Sequence, residues 1–132
     1  MAHSIPTYKG RTVVINDLDL MVILGFGLQA ISKSTQFENL QSLAVEWRTA
    51  LDLYGPGCID LKIDELLQTP TQVKEFATLL ERVFQQASQY HEKIPADVVS
   101  KMVTVRGVKF EDYRVERVNE AVRKLQILIA ER

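Results

Sequence analysis

Between Leu18 and Ile31 the chain runs through 14 residues in which only Asp19 and Gln29 are polar. Water cannot be the environment of such a stretch, and a bilayer is excluded by length, because a spanning helix needs roughly 20 apolar residues. The run also carries Asp19 and two glycines, and it reads as a buried core helix. The rest of the chain must therefore supply apolar faces to enclose it. Of the 132 residues 46% are hydrophobic and 25% charged, enough for one globular domain over 1–132 with its own core. Six glycines and four prolines are too few for a collagen-like or linker chain, and the apolar content is too high for intrinsic disorder. A single cysteine, Cys58, forbids an intrachain disulfide and fits a reducing compartment such as the cytoplasm.

Met1 to Gly10 has no apolar centre and does not read as a signal peptide; residues 1–11 are expected to be a loosely ordered arm. After Thr12-Val13-Val14-Ile15, Asn16 or Asp17 is placed to cap a helix running to about Ser32. Thr35-Gln36-Phe37-Glu38 has the spacing of a capping box, and Phe37, Leu40, Leu43, Ala44, Trp47, Leu51 and Tyr54 then fall on one helical face before Gly55-Pro56-Gly57 stops it. Ile59, Leu61 and Ile63 alternate with Asp60, Lys62 and Asp64, which suits a short half-buried strand, although Asp64-Glu65-Leu66-Leu67 also suits a helix.

Thr69-Pro70-Thr71-Gln72 is a second capping box, with proline at the first helical position where its missing N–H is not needed. Val73, Phe76, Ala77, Leu80, Val83, Phe84, Ala87 and Tyr90 make the apolar face of that helix, and the pattern ends before Pro95. A helical turn is expected over 97–101. Val103-Thr104-Val105 and Val108-Lys109-Phe110 flank Arg106-Gly107 as a hairpin would. The last helix, starting near Glu111 or Asp112, carries Val115, Val118, Val122, Leu125 and Ile129 on a narrow seam. The sum is a mainly α fold: a bundle of about four helices with a minor β element, a short strand, a hairpin or both.

Chemistry is sparsely signalled. Gly25-Phe26-Gly27-Leu28-Gln29-Ala30 matches G-x-G-x-x-A, and a nucleotide-binding enzyme would use those glycines as a turn between strand and helix. The fingerprint also wants a strand-end acid about 20 residues later, where the second helix stands instead. His3, His91 and Cys58 lack any metal-ligand spacing, so no metal and no cofactor are expected. Asp17 with Asp19 would diverge on a helix; Asp60 and Asp64 would share a face, and such acids most often cap helices. No catalytic residue is assigned, and the chain is read as a non-enzyme.

Residues 1–68 hold 5 Lys+Arg against 8 Asp+Glu, residues 69–97 hold 3 against 4, and residues 98–132 hold 8 against 5. In the basic last third, Arg106, Lys109, Arg114, Arg117, Arg123 and Lys124 would meet phosphates and Tyr113 or Phe110 would stack on a base, were this a nucleic-acid regulator. Interrupting acids and a sequence pI near 6.1 argue against that, and in favour of a solvated face in which Glu120, three residues from both, pairs with Arg117 and Arg123.

The segments Glu92-Lys93-Ile94-Pro95-Ala96-Asp97-Val98 and Gly107-Val108-Lys109-Phe110-Glu111-Asp112-Tyr113, followed by the amphipathic last helix, resemble small bacterial toxin-immunity proteins. The resemblance covers the last third of the chain and brings no binding residue with it. It implies a cytoplasmic protein that binds another protein and occludes a cognate toxin's active site. Against a nuclease toxin the inhibitory surface would be acidic, which favours the N-terminal half. A homodimer is a further assembly consistent with a binding module; membrane is excluded as a partner, and nucleic acid is disfavoured.

Overall fold

In the computed structural model, which describes residues 2–130, the apolar run is the axis of the molecule. It lies in α1 (Asp17–Lys33), an unbroken helix whose residues Leu20 to Gly27 are all buried. Asn16 caps it, its side-chain oxygen accepting from Leu18 N–H at 2.8 Å. Around α1 pack a 3-10 helix (Thr35–Leu40), α2 (Gln41–Asp52), α4 (Pro70–Ser88), α5 (Ala96–Met102) and α6 (Val115–Ile129), while α3 (Ile63–Leu66) sits under the N-terminal hairpin. The fold is mainly α with three small antiparallel pairs, but the described residues form six α-helices where about four were expected. The four long ones match the sequence pattern. The two extra are short.

His3 to Arg11, expected as part of a loose arm over 1–11, are ordered by pairing within residues 3–16. β1 (His3–Ser4) pairs with β4 (Ile15–Asn16), and β2 (Thr7–Tyr8) with β3 (Arg11–Thr12), in one constant register. Proline at 6 lacks an N–H and divides the ladder, but its carbonyl still accepts from Val13 N–H at 3.1 Å, so the two halves are one hairpin. Lys9 and Gly10 form its tip at φ +50° and +79°, the two positive values a type I′ turn requires. Ser4, Pro6 and Tyr8 point inward and are buried; Ile5 and Thr7 point out.

The expected capping box at Thr35 is not used, because Ser34 one residue earlier takes the Gln36 N–H at 3.0 Å. The helix then opens as a 3-10 segment, with a kink at Phe37, before α2 proper. Between α2 and α3 there is no strand over 59–63. Alternation holds, with Ile59, Leu61 and Ile63 buried, but the backbone is claimed by side chains: Ser4 Oγ accepts from Ile59 N–H at 3.0 Å, Trp47 Nε1 donates to Leu61 O at 2.9 Å, and Asp60 accepts from Lys62 N–H at 2.9 Å. Lys62 then turns left-handed at φ +59° and α3 begins. The box at Thr69 forms as read, with Thr69 and Gln72 each accepting from the other's backbone.

The expected hairpin around Arg106-Gly107 is only a turn, closed by Val108 N–H on Val105 O at 3.0 Å. The ladder lies outside it: β5 (Lys93–Ile94) pairs with β6 (Tyr113–Arg114), and the Asp112 carboxylate takes Ala96 N–H at 2.9 Å. Those bonds hold 111–114 extended, so α6 begins at Val115 and not at Glu111 or Asp112. Its seam residues Val115, Val118, Val122, Leu125 and Ile129 are all buried. Among the described residues no helix is long and apolar enough to cross a membrane.

Candidate functional site

The register of the hairpin places Ile5 opposite Val14 on its outer face, between the pairs His3 with Asn16 and Thr7 with Thr12. Ile5 is 59% and Val14 53% exposed; the other large hydrophobics left exposed among the described residues are Val45 at 57%, Leu53 at 78% and Ile127 at 64%. Both sides of the hairpin are tied to the body of the protein. On one side Lys9 N–H reaches the Asp64 carboxylate at 2.9 Å, and Ser4 is tied to Ile59. On the other, Lys124 Nζ donates to Val14 O at 3.1 Å and an Arg11 guanidinium nitrogen to Ala130 O at 3.5 Å. What the hairpin offers is an apolar pair on its outer face.

Beside Ile5 and Thr7 a groove of about 390 Å³ runs along residues 57–65, with Cys58, Asp60, Asp64 and Glu65 on its far wall. Lys62 bridges Asp60 at 3.8 Å and Glu65 at 3.5 Å, leaving the rim net negative. The rim belongs to an acidic middle section: residues 38–81 carry eight Asp and Glu against three Lys and Arg. Cys58 is exposed.

A buried carboxylate fixes the base of the hairpin. Asp17 accepts from Ser4 Oγ at 2.5 Å, Tyr54 Oη at 2.7 Å and Gly57 N–H at 2.8 Å, joining hairpin, α1 and the turn after α2. Ser4 Oγ donates to Asp17 and accepts from Ile59 while fully buried, so its hydroxyl is spent on structure. Burial first, then the Asp17 carboxylate, pushes the Tyr54 hydroxyl up to about 12. Asp19 points elsewhere, as expected: it accepts a close hydrogen bond from Tyr113 Oη and pairs with Arg117 Nε at 3.2 Å. Burial raises the Asp19 carboxyl above its ordinary 3.8 against the opposing pull of Tyr113 and Arg117. Burial and Asp19 together raise the Tyr113 hydroxyl.

Other sequence candidates disperse. Gly25 and Gly27 are not a phosphate turn but points of close approach inside α1. A Cβ on Gly25 would stand 2.3 Å from Val103 Cγ2, and one on Gly27 would stand 2.9 Å from Trp47 Cζ3. Asp60 and Asp64 are spent on separate backbone amides, Lys62 N–H and Lys9 N–H. His3 is exposed on the hairpin, and His91 is exposed past the end of α4 at φ +64°. Among the described residues no three of His, Cys, Asp and Glu are grouped to hold a metal ion. The basic third is not one surface either: Arg117 pairs with Asp19 and not Glu120, Arg114 with Glu116, and Lys124 with Val14 O, while Tyr113 and Phe110 are each 7% exposed.

Sequence reasoning missed the hairpin face altogether. The signal was there in Lys9-Gly10 between two runs of β-branched and aromatic residues. Comparison with known proteins finds no matching family model, no similar curated protein and no similar solved structure.

Proposed function

We propose that this chain is a non-enzymatic protein-binding module that docks a basic protein partner on its hairpin face. The observation that carries the reading is the exposed, mutually opposed pair Ile5 and Val14 beside the Asp60, Asp64 and Glu65 rim. An apolar centre with a polar margin is the anatomy of a docking patch, and the carboxylates would speed encounter with a cationic partner and disfavour acidic ones. The hairpin is preorganised by its I′ turn and by Asp17, so little ordering entropy remains to be lost on binding. In its most concrete form, taken from the likeness of the last third to immunity proteins, the partner is a cognate toxin neutralised in the cytoplasm. The acidic surface then suits a nuclease or another enzyme with a cationic active site.

The reading is tested by affinity purification of the tagged protein from its native cell, with companions identified by mass spectrometry. One stoichiometric companion of basic pI is expected. Expressed alone, that companion should arrest growth, and co-expression of this chain should relieve the arrest. Recovery of the chain by itself would count against the binding role, and a harmless companion against the immunity version.

A further inference from the structure

We propose that the docking surface does not end at the hairpin face but continues round the hairpin tip into an apolar cleft, so that the partner presents a segment with apolar side chains at one end and cations at the other. This rests on the protein-binding reading above and states the form of the partner. The first reason is area. A standard protein interface buries roughly 800 Å² on each partner, whereas even a large aromatic side chain buries only about 150–250 Å². Ile5, Val14 and the rim beside them are too small a footprint, and a partner seated there must cover neighbouring surface as well.

Continuity shows which neighbour. The groove beside Ile5 and Thr7 and a cleft of about 780 Å³ beside Tyr8 and Lys9 line consecutive parts of the same stretch of chain, and Asp64 belongs to both. Ser4 Oγ accepts from Ile59 N–H and Lys9 N–H donates to the Asp64 carboxylate, two ties that each join residues 55 apart, so 4–9 and 59–64 lie side by side and run in the same direction. From Ile5 to Lys9 the surface extends about 13 Å. Beyond the tip the cleft is floored by Leu67, Val73, Ala77 and Ile129. Val73 and Ala77 fall on the apolar stripe of α4, yet Val73 is half-buried and Ala77 exposed, so here the stripe runs out from under the rest of the chain. The charges differ between the two parts. In the cleft Lys9 and Lys74 are balanced by Asp64 and Glu81, which favours neither sign and suits uncharged apolar side chains. In the groove Asp60, Asp64 and Glu65 outnumber Lys62. The surface thus has a direction, apolar towards α4 and acidic towards 57–65, and the segment that fits it is apolar where it meets α4 and carries lysine or arginine where it meets the groove.

The probes are a synthetic peptide in which a leucine-bearing half is joined to a lysine-bearing half, each half alone, and a version with glutamate for lysine, titrated into the full-length protein by calorimetry and followed by backbone amide NMR. The joined peptide should bind at least tenfold tighter than either half, because its second contact is intramolecular, and should shift the amides of Ile5, Thr7, Val73 and Ala77 with one midpoint. The glutamate version should bind at least tenfold more weakly. Ala77→Trp, which fills the cleft from an exposed position, should bring the joined peptide down to the affinity of the lysine half without lowering the melting temperature. No binding, no gain on joining, shifts confined to one of the two depressions, or a joined peptide indifferent to Ala77→Trp would overturn the continuous surface. Failure of the protein-binding reading shows separately, in a chain recovered without a companion. A companion that binds Ala77→Trp as tightly as the wild type would leave that reading standing and overturn this one.

Discussion

Gly25 shows how a single residue is fixed by what lies across from it. Alanine would favour the helix by about 1 kcal/mol, but its Cβ would sit 2.3 Å from Val103 Cγ2 and 3.1 Å from Met102 Cβ. Overpacking of that kind costs typically 1–3 kcal/mol, so Gly25→Ala should destabilise the protein in urea unfolding. Adding Val103→Ala should recover part of the loss, and two independent, additive effects would refute the contact. Asp17 is the opposite case, a polar residue held by three donors, and Asp17→Ala should cost on the order of 3 kcal/mol by stranding them. Tyr54 gives the same cluster a pH signature. Its folded value of about 12 lies above the ordinary 10.0, so the folded state keeps the proton longer; the stability this contributes is complete below pH 10 and is lost as pH rises through about 12. Tyr54→Phe should flatten that alkaline loss in unfolding curves, and parallel slopes for the two proteins would contradict it. Asp19 has the same sign at acid pH, its contribution falling as pH rises from 3.8 through its raised value.

At the scale of elements, the hairpin depends on its tip. Gly10 has φ +79° and open space around its Cα, so Gly10→Val would fail by backbone strain and not by collision. It should cost about 1–2 kcal/mol and raise amide exchange between Thr7 and Thr12; unchanged exchange there would show that the turn is not what orders the arm. The long helices were legible because caps and 3.6-residue periodicity are local signals: Asn16, the Thr69 and Gln72 box, and the seam from Val115 to Ile129 all act within a few residues. The Thr35 box was displaced locally by Ser34, and the other failures were decided by distant groups. The strand over 59–63 was lost to Ser4 and Trp47, and the hairpin at Arg106-Gly107 to the pairing of 93–94 with 113–114. The hairpin face escaped because Pro6 interrupts the strand pattern, and because the one-residue difference between inward Ser4 and outward Ile5 depends on register, which the turn sets.

The whole molecule divides its tasks. α1 supplies a core so complete that eight consecutive residues are buried, and the other helices bury their apolar stripes against it. Among the described residues the large hydrophobics left exposed are Ile5, Val14, Val45, Leu53 and Ile127, and the hairpin register brings two of the five together. Charge is divided along the same chain, acidic through 38–81 and basic beyond, and the proposed partner is cationic for that reason. The central claim is that this face does the binding. Calorimetric titration of the purified companion against the wild type and against Ile5→Asp with Val14→Asp tests it most directly, because both positions are exposed and the variant should melt as the wild type does. The account predicts at least a tenfold loss of affinity in the variant and a steep weakening of wild-type binding with added salt. Equal affinity for the two proteins would contradict it.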